Sequence, residues 1–524
     1  MHSDTPAPDD VDMDPDEFRM LGYRAVDTIA AYFEALDELD VFPGQSPTDV
    51  EQLFDETLPE TGQAPDAILD EWSDKVLPTA THNTSPRYFG FVMGSGTMMG
   101  VLADALAASV NMNTGGWKPA PSGTEVERRT IRWLAELIGY DPDCGGLFTS
   151  GGTMANVTGI LTGLRETAEY DTKTRGIQTD DRAGRFTLYV ADHEGHSSIY
   201  RVAELLGLGS DAVHLVPSHD DFTMDVEALE RLVEADRDSG AIPFCVVAQV
   251  GSINVGAIDP LEDIARVCEE QNLWFHADGA CGAVGAVLPE KRPQYRGIER
   301  ADSVTLDPHK WLYVPYECGC LLVRDQSLLA HVFAMDAAYL EGKLPTKYEG
   351  LDYYELGPQM SRGFRALKVW MSLKHYGVSG YRALLRRNVA CAEHLDALVR
   401  SAADFEALHE PNLYIYSFRY APNDLQQALR SDPEKRDAID DYLDTLNQRI
   451  ADEIRERGLA FVMTTAIYDR TVLRLSICSH RTTRDDIDDV FETFRELGER
   501  EDRARRDTLD VASAELTDRF ETSD

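Results

Sequence analysis

The sequence predicts an α/β protein whose core is a mostly parallel β-sheet covered by helices on both faces. Short apolar runs rich in Val and Leu alternate with amphipathic stretches from about residue 148 to residue 323. Continuous apolar runs are typical of strands buried on both faces, and parallel strands need crossover connections that are usually helical. Several runs end in polar or small residues, as expected where parallel strands bring ligand-binding groups to the carboxyl edge of a sheet.

The first 83 residues lack an apolar core of their own. Residues 1–15 are acidic and contain three prolines, so we expect a disordered tail. From Asp16 to Leu39 apolar side chains recur at helical spacing, and a second short helix is expected before Pro78. Residues 16–83 are therefore interpreted as an N-terminal helical arm.

A long, nearly uncharged stretch from Phe89 to Val110 raises the question of a membrane span. Asp104 and several Gly and Ser residues interrupt it, which favours a buried segment over a span. Within it, the residues from Gly94 to Gly100 imitate a dinucleotide-binding fingerprint. Their glycine spacing differs from that fingerprint and no βαβ unit surrounds them, so we do not expect a dinucleotide site.

The alternating region belongs to a large domain that we place at residues 84–374. Its strands are predicted at residues 188–191, 212–216, 243–250, 273–277, 303–306 and 319–323. Its helices are predicted at residues 197–207, 225–236 and 261–272. Charged helices and two short strands, at residues 413–418 and 472–477, indicate a smaller α+β domain over residues 375–498. Residues 499–524 are expected to form a loosely held, charged tail.

The composition argues against several kinds of partner. The 524 residues carry a formal net charge of −42, and the sequence pI is about 4.6. A nucleic acid or an anionic membrane requires a basic face, so neither is an expected partner. The acidic excess and the scarcity of lysine, ten residues in all, suit a solvated surface in a high-salt cytoplasm and suggest a halophilic source.

Cysteine usage and the N-terminus indicate a cytoplasmic protein. The eight cysteines are scattered without a C-x-x-C pair, as expected of reduced core thiols. The first residues contain neither a basic region nor an apolar segment, so no secretory signal is expected. His193 and His196 lie three residues apart but lack the HExxH pattern and a third ligand, so we expect no metal site.

The most informative stretch runs from Ser303 to Trp311, where an apolar strand ends in Asp-Pro-His and Lys310 follows. A lysine in an apolar pocket has a depressed pKa and can form a Schiff base. The alternative is a surface lysine that pairs with Asp307. Thirty-two residues upstream, Asp278 ends another apolar run. Such an Asp–Lys pair suits pyridoxal phosphate (PLP), because the lysine holds the aldehyde and the carboxylate keeps the pyridine nitrogen protonated.

Residues 303–324 resemble the PLP attachment signature of the group II amino-acid decarboxylases. That family includes the aromatic-amino-acid, histidine, glutamate and cysteine-sulfinate decarboxylases. The resemblance extends from about Pro86 to about Ser479, with several motifs in the family's order. It implies a type I PLP-dependent transferase-like fold, with PLP bound covalently at Lys310 and Asp278 as the partner of the pyridine nitrogen, and an active site at the interface of a homodimer.

The resemblance also implies roles for residues upstream and downstream of the pair. The Gly-rich turn with Gly152 and Thr153 precedes a helical run and looks like the family's phosphate cradle. His196 matches the imidazole that stacks on the PLP ring. This stretch is one residue longer than the usual family form, so His193 is a second candidate. Further cofactor contacts are expected from Ser252, Ala280 and His309.

Two of these contacts leave alternatives open. The family often has Gly-Thr-Thr where this chain has Gly-Ser252-Ile253, so one hydroxyl is kept and the other is lost. His309 is a candidate for contact with the phosphate or with the substrate carboxylate. The alternative for His309 is a core histidine whose hydrogen bonds are satisfied within the protein.

Tyr339 lies in a polar stretch that resembles the family's mobile catalytic loop. In the family a tyrosine there returns a proton to the substrate carbon after carbon dioxide leaves, whereas related aldehyde-forming enzymes carry phenylalanine. Tyr339 therefore favours simple decarboxylation, with Lys310, His196 and Tyr339 as the catalytic residues. An aminotransferase on the same fold is the alternative reaction, and a non-catalytic homologue is the alternative from another class.

The expected substrate is an aromatic amino acid. Tyr88, Phe91 and Trp117 are similar to the aromatic-amino-acid decarboxylases. Where those enzymes place bulky apolar pocket residues this chain has Val92, Asn113 and Gly115, which indicates a roomier or more polar pocket. Glutamate, aspartate, cysteine sulfinate and diaminobutyrate are the alternative substrates.

Overall fold

The computed structural model describes residues 13–177, 185–192, 196–335 and 350–521. Three helices form its N-terminal part: α1 (Pro15–Ala35), α2 (Pro47–Leu53) and α3 (Pro65–Glu71). Each begins with proline, whose missing N–H and fixed φ suit the first helical position. None of the three contains a buried residue, which agrees with the expected lack of a core in this region.

Helices α4 (Met98–Val110) and α5 (Pro121–Ile138) follow the N-terminal part. Gly100 and Ala103 of α4 are buried, but Met98, Leu102, Leu106 and Val110 are each about half exposed. These four side chains recur every four residues, so they lie on one face of the helix. The expectation that the stretch is buried is therefore wrong for this face. Among the described residues, no helix combines the length and the apolar character of a membrane span.

The larger sheet has seven strands in the order β1-β7-β6-β5-β4-β2-β3. Their bounds are β1 (Gly145–Thr149), β2 (Phe186–Ala191), β3 (Val213–Val216), β4 (Ile242–Gln249), β5 (Trp274–Asp278), β6 (Ser303–Leu306) and β7 (Gly319–Val323). Strand β7 is antiparallel to β1 and to β6, and the other pairs are parallel. The prediction of a mostly parallel sheet is confirmed. Strand β1, which begins with two glycines, was not predicted.

Helices cover the larger sheet on both faces. Every residue of β1, β2, β5, β6 and β7 is buried, and successive side chains in a strand point to opposite faces. The helices of this part are α6 (Gly152–Thr167), α7 (Thr172–Arg175), α8 (Ser198–Leu205), α9 (Val226–Ser239), α10 (Leu261–Gln271) and α11 (Gln326–Phe333). Three of them, α8, α9 and α10, lie within three residues of their predicted bounds.

A smaller antiparallel sheet lies in the C-terminal part, in the order β10-β11-β9-β8. Its strands are β8 (Phe405–Ala407), β9 (Ile415–Tyr420), β10 (Met463–Ile467) and β11 (Arg470–Ser476), and its helices are α12 (Ala366–Ser401), α13 (Asn423–Ser431), α14 (Arg436–Glu456) and α15 (Arg484–Glu521). Helix α12 changes direction at Gly377, which has φ 63° and ψ 172°. The two strands predicted here correspond to β9 and β11, shifted by about two residues.

The expected loose tail from residue 499 is instead a continuation of α15. Arg506 pairs with Asp502 one helical turn before it and reaches Asp424 of α13. The Tyr442 hydroxyl of α14 donates to Asp502 at 2.7 Å, and Leu509 is buried. Arg500, Arg505 and Arg506 recur at helical spacing and pair with carboxylates, so this part of the sequence extends the helix rather than ending it.

Candidate active site

The carboxyl ends of β4, β5 and β6 and the N-terminus of α6 enclose a cavity of about 330 Å³. Seven of the predicted site residues line it: Gly152, Thr153, His196, Asp278, Ala280, His309 and Lys310. A larger cavity of about 690 Å³, between α5 and α12, contains none of them. The chemistry-bearing residues therefore gather in the smaller cavity, at the edge where parallel sheets bind ligands.

Lys310 follows β6 by four residues and its side chain is 14% exposed. Its Nζ lies 3.0 Å from Asp307 Oδ2 and 3.6 Å from Cys281 Sγ. Burial by itself lowers the pKa of Lys310, but the nearby groups, Asp307 among them, outweigh burial and the net pKa is raised. Cys281 adds little charge, because burial raises the pKa of its own thiol.

The structure therefore corrects both interpretations of Lys310. The pKa of the side chain is raised instead of depressed, because the Asp307 carboxylate lies in direct contact with the ammonium group. The lysine is nevertheless not the surface residue of the alternative interpretation, since its side chain is largely covered and lines the cavity. Its amine has a carboxylate within reach to take its proton.

Asp278 is the last residue of β5 and is 5% exposed. Its Oδ2 accepts a hydrogen bond from Asn156 Nδ2 at 2.8 Å, and its Oδ1 accepts one from the Ala280 amide at 3.2 Å. A buried carboxylate needs such donors to stay charged. Ala280 thus contributes its backbone to the site, while its side chain lines the cavity.

His196 precedes α8 and lies beside the cavity. Its Nδ1 accepts a hydrogen bond from the Ser198 amide at 3.1 Å and lies 2.7 Å from the Ser198 hydroxyl. A nitrogen that accepts from an amide carries no proton of its own, so the neutral imidazole is protonated on Nε2. Burial lowers the pKa of His196, which favours this neutral form. His193, the second candidate, lies outside the described residues.

Two glycines permit a close approach of chain segments at the cavity. A Cβ on Gly152 would come within 2.8 Å of Asp307 Oδ2, and one on Gly94 would come within 2.2 Å of the Lys310 carbonyl oxygen. The glycine at position 94 is thus explained by packing against the predicted lysine and not by a dinucleotide. Gly152 opens α6, whose first turn has backbone N–H groups without intrahelical acceptors.

Two of the remaining predicted site residues, His309 and Ser252, differ in their position relative to the cavity. His309 Nδ1 accepts from the Cys318 amide at 3.0 Å, and the His309 ring packs against Tyr316 with centroids 4.3 Å apart. It therefore satisfies one nitrogen within the protein while still lining the cavity. Ser252 lies away from it: the Ser252 hydroxyl accepts from the Ala257 amide at 3.0 Å, and Ile253 lines the cavity instead. Tyr339 lies outside the described residues.

The sequence reasoning overlooked several polar residues of the cavity. Asn156, Gln249 and Asp307 all line it. Gln249 Nε2 and Asp307 Oδ1 are buried polar atoms with no hydrogen-bond partner among the described residues. Asn156 lies one helical turn after Gly152, and Gln249 is the last residue of β4. Their positions near the ends of a helix and a strand are the sequence signal that could have identified them as cavity residues.

The residues present fit PLP. A lysine amine, a buried carboxylate and a helix N-terminus are the groups that an aldehyde, a pyridine nitrogen and a phosphate require. The orphaned atoms of Gln249 and Asp307 point to the same conclusion, because buried polar groups without partners are rare unless a ligand or water completes them. The absence of a side chain at Gly152 leaves room for a close approach to the backbone.

Comparison with known proteins gives consistent results. A family model described as the pyridoxal-dependent decarboxylase conserved domain matches residues 47–421. An aromatic-L-amino-acid decarboxylase from Bacillus atrophaeus is 33% identical over 493 residues, which cover 94% of this chain and 97% of that protein. A histidine decarboxylase from Drosophila melanogaster is 31% identical over 486 residues, covering 91% of this chain and 54% of that protein.

Solved structures resemble the whole fold. Oryza sativa TDC, determined with PLP and tryptamine, aligns with a TM-score of 0.84 and 26% identity, covering 95% of this chain and 100% of that one. Mouse CSAD aligns with a TM-score of 0.85 and 25% identity, covering 93% and 99% of the two chains. The similarity thus extends over nearly the full length of each chain.

Proposed function

The chain belongs to the pyridoxal-dependent decarboxylase family, and from this premise we propose that it converts an aromatic L-amino acid into its amine and carbon dioxide. It is a PLP-dependent decarboxylase with the type I PLP-dependent transferase-like fold that the resemblance implied. The identity with the aromatic-L-amino-acid decarboxylase of B. atrophaeus supports the aromatic substrate class. Histidine is the second candidate, because a named histidine decarboxylase is almost as similar.

One observation carries the assignment of the site. Asp278 ends β5 and Lys310 follows β6 by four residues, yet both line one cavity together with the N-terminus of α6. A lysine for covalent attachment, a carboxylate for the ring nitrogen and a phosphate site are thereby present at a single place. The aminotransferase and non-catalytic alternatives are less well supported, because the chain's relatives are named decarboxylases.

Each of these residues has a task that follows from its surroundings. When bound, PLP supplies an electron-withdrawing ring that takes up the electrons released as the carboxylate departs. Lys310 would hold the cofactor through Nζ, and Asp278 would hold the proton of the ring nitrogen. Gly152 and Thr153 would hold the phosphate at the N-terminus of α6. His196, protonated on Nε2, would pack against the ring.

Proton movement at Lys310 involves Asp307. The Asp307 Oδ2 atom lies 3.0 Å from Nζ, so it holds the ammonium proton and can accept it when the amine becomes a nucleophile. A carboxylate and an amine in direct contact exchange a proton without water. Tyr339 is proposed, by resemblance, to return the proton to the substrate carbon.

The assembly and setting belong to the same proposal. The four half-exposed apolar residues of α4, with Phe18 and Tyr23 of α1, support a homodimer, because a monomer rarely leaves such a face in water.

The domain limits at residues 16–83, 84–374 and 375–498 are proposed on the positions of the two sheets. A cytoplasmic, high-salt setting is proposed on the net charge of −42.

Borohydride reduction followed by peptide mapping tests the site. We expect the pyridoxyl group on Lys310 and on none of the other nine lysines, because Lys310 is the one lysine of the described residues that lines the cavity. Lys310→Ala should abolish labelling. Lys368→Ala is the matched control, since Lys368 is also buried but pairs with Asp104 away from the cavity. Labelling of another lysine in the unaltered protein would contradict the assignment.

Release of carbon dioxide from a panel of amino acids tests the substrate class. We expect kcat/KM to be highest for tryptophan, tyrosine or phenylalanine when the assay is run in molar salt. The comparison set is histidine, glutamate, aspartate, cysteine sulfinate and diaminobutyrate. A preference for any member of that set would overturn the aromatic assignment while leaving the decarboxylase assignment intact.

A further inference from the structure

One amide group, that of Asn156, connects the two sides of the cavity. Asn156 lies in the second turn of α6 and is 1% exposed. Its Nδ2 lies 2.8 Å from Asp278 Oδ2 and 3.2 Å from the Ser198 hydroxyl. Its Oδ1 lies 2.6 Å from the Thr305 hydroxyl and 3.1 Å from His276 Nε2. All of its partners are buried, so all of these contacts are protected from water.

The orientation of this amide follows from its partners. An ionised Asp278 has no proton to donate, so the Asn156 atom 2.8 Å away must be the NH₂ group. The carbonyl oxygen of the amide then faces Thr305 and His276, and both must donate to it. The flipped orientation would place two oxygens in contact without a proton between them, which is unfavourable in a buried position.

A buried chain of hydrogen bonds leads from Trp274 through Ser303 and His276 to the carbonyl oxygen of Asn156. Trp274 Nε1 can only donate, and it donates to the Ser303 hydroxyl at 2.9 Å. The Asn156 carbonyl oxygen can only accept, so His276 Nε2, 3.1 Å away, carries the imidazole proton. His276 Nδ1 then accepts from the Ser303 hydroxyl at 2.7 Å. Burial lowers the pKa of His276 to about 4, so the imidazole is neutral and has one proton to donate.

The second hydrogen of the Asn156 amide points toward His196. It is donated to the Ser198 hydroxyl at 3.2 Å, and that hydroxyl lies 2.7 Å from His196 Nδ1. Ser198 thus accepts from Asn156 and donates to His196. One NH₂ group thereby reaches both the carboxylate predicted to hold the ring nitrogen and the imidazole predicted to pack against the ring.

We propose that Asn156 is a positioning residue that fixes the Asp278 carboxylate and the His196 ring with respect to each other, and that the His276 N–H, held in place by Ser303 and Trp274, holds the carbonyl end of its amide. The proposal rests on the assignment of this cavity to PLP. Only an amide offers a carbonyl to His276 and Thr305 and an NH₂ group to Asp278 and Ser198 at once. An aspartate would bring a second carboxylate to within hydrogen-bond distance of Asp278, and an aliphatic residue would remove one hydrogen-bond partner from each of four buried polar groups.

Reconstitution of the apo-protein with PLP tests the proposal, with the visible absorption band of the bound cofactor as the readout. We expect Asn156→Ser to raise the Kd for PLP about 10- to 100-fold, the range seen when residues behind a bound group are removed. The turnover of the fully loaded variant should also fall, because Asp278 and His196 are no longer held in place.

Asn447→Ser is the matched control. Asn447 is fully buried in α14 of the smaller domain, where it bonds the backbone of Tyr420 at 2.8 Å and 2.9 Å. We expect this variant to lower the Tm of the apo-protein while the Kd for PLP stays within about twofold of the unaltered value. A purely structural role for Asn156 predicts the same behaviour for Asn156→Ser, and that result would overturn the proposal.

Variants of His276 provide an independent second route. His276→Gln keeps an N–H donor directed at Asn156, whereas His276→Leu removes it. We expect His276→Leu to weaken PLP binding in the same direction as Asn156→Ser, and His276→Gln to restore most of the affinity. Equal Kd values for the two variants would overturn the proposed direction of the chain.

Failure of the inference can be told apart from failure of the proposed function. If the unaltered protein binds PLP at Lys310 and Asn156→Ser binds it equally well, the inference alone is wrong. If the unaltered protein gives no absorption band and no pyridoxyl label, the assignment of the cavity is wrong and the inference falls with it.

Discussion

The carboxyl edge of the larger sheet buries polar residues, whereas α1 and α4 each expose large apolar residues. At the sheet edge Asp278, Asn156 and His276 are buried. On α1 Phe18 is 68% exposed, and on α4 Leu106 is 53% exposed. Burying polar groups costs free energy unless they are paired, and exposing an apolar face costs free energy unless something covers it.

The difference teaches how each region is completed. The polar groups at the sheet edge are mostly paired within one chain, and the orphaned atoms belong to Gln249 and Asp307, which line the cavity. A small molecule in the cavity is the expected complement of this region. The face of α4 offers only side chains such as Leu102 and Leu106, with nothing to orient a small ligand, so a second protein surface is the better complement.

We expect the substitution of Asp278 to have the largest effect on activity. Asp278 is a buried carboxylate of the cavity, and its hydrogen bonds offset the cost of burying it. Asp278→Ala should lower kcat by about 10²- to 10³-fold, the usual loss when one preorganised electrostatic group is removed. The measurement is carbon dioxide release with PLP in excess, so that cofactor occupancy does not limit the rate.

Asp302→Ala is the matched control for this prediction. Asp302 is also a buried carboxylate of the same sheet, but it lies at the opposite end of β6, where it accepts from the Phe275 amide at 2.8 Å and pairs with Arg324. We expect it to lower the Tm and to leave kcat of the folded enzyme within a few-fold of the unaltered value. Similar losses of kcat in both variants would contradict the proposed role of Asp278, because any buried carboxylate of the sheet would then have the same effect.

Sequence reasoning was most successful for elements whose apolar pattern allows only one interpretation. Strand β6 was predicted at residues 303–306 and observed at Ser303–Leu306, because a short apolar run between polar residues has one interpretation. Lys310 and Asp278 were found because strand ends in a parallel sheet meet at one edge. Their meeting in one cavity is the part of the site that topology made predictable.

The remainder could not be predicted, for physical reasons. The raised pKa of Lys310 depends on a 3.0 Å contact with Asp307, and a sequence contains no distances. Asn156 looks like any polar residue in an amphipathic helix until β5 and β6 are placed beside it. Ser252 resembles a family hydroxyl, yet its turn uses the oxygen for the Ala257 amide. Strands β8 and β10 are short and partly exposed, so their apolar pattern is weak.

Charging the face of α4 gives the next largest effect and tests the other region. Leu102→Glu with Leu106→Glu should raise the dimer dissociation constant by at least about 100-fold, since each buried leucine contributes about 1.5–3 kcal/mol and a buried carboxylate adds a further cost. Light scattering in molar salt measures the change. Both side chains are already half exposed in the single chain, so its fold should be retained.

Leu205→Glu is the control for the α4 variant. Leu205 ends α8 and is 65% exposed, but Ile199 and Val202 of the same helix are buried, so Leu205 belongs to no exposed apolar stripe on α8. We expect it to leave the dimer unchanged. A protein that is monomeric and fully active before any substitution would show that the exposed face of α4 has another purpose.

Ionic strength should give the smallest effect and should act on the two regions unequally. The chain has 92 acidic residues against 50 Lys and Arg residues, so repulsion opposes both the compact state and the approach of a second copy. Between 0.1 M and 1 M salt the Debye length falls from about 10 Å to about 3 Å, which screens most of that repulsion. We expect the Tm to rise by several degrees and the dimer dissociation constant to fall.

The buried edge of the sheet should respond less, because charges at contact distance inside a protein are screened much less than surface charges. Asp278 is 5% exposed and the Lys310 side chain 14% exposed, and the Lys310–Asp307 contact is 3.0 Å. The kcat of the dimer, measured at protein concentrations where it stays associated, should therefore change less across this range than the dissociation constant does. A flat Tm and a flat dissociation constant would refute the high-salt interpretation of the surface and leave the decarboxylase site untouched. A kcat that instead rises in parallel with dimer stability would show that the two regions are coupled, with the site depending on the interface for its geometry.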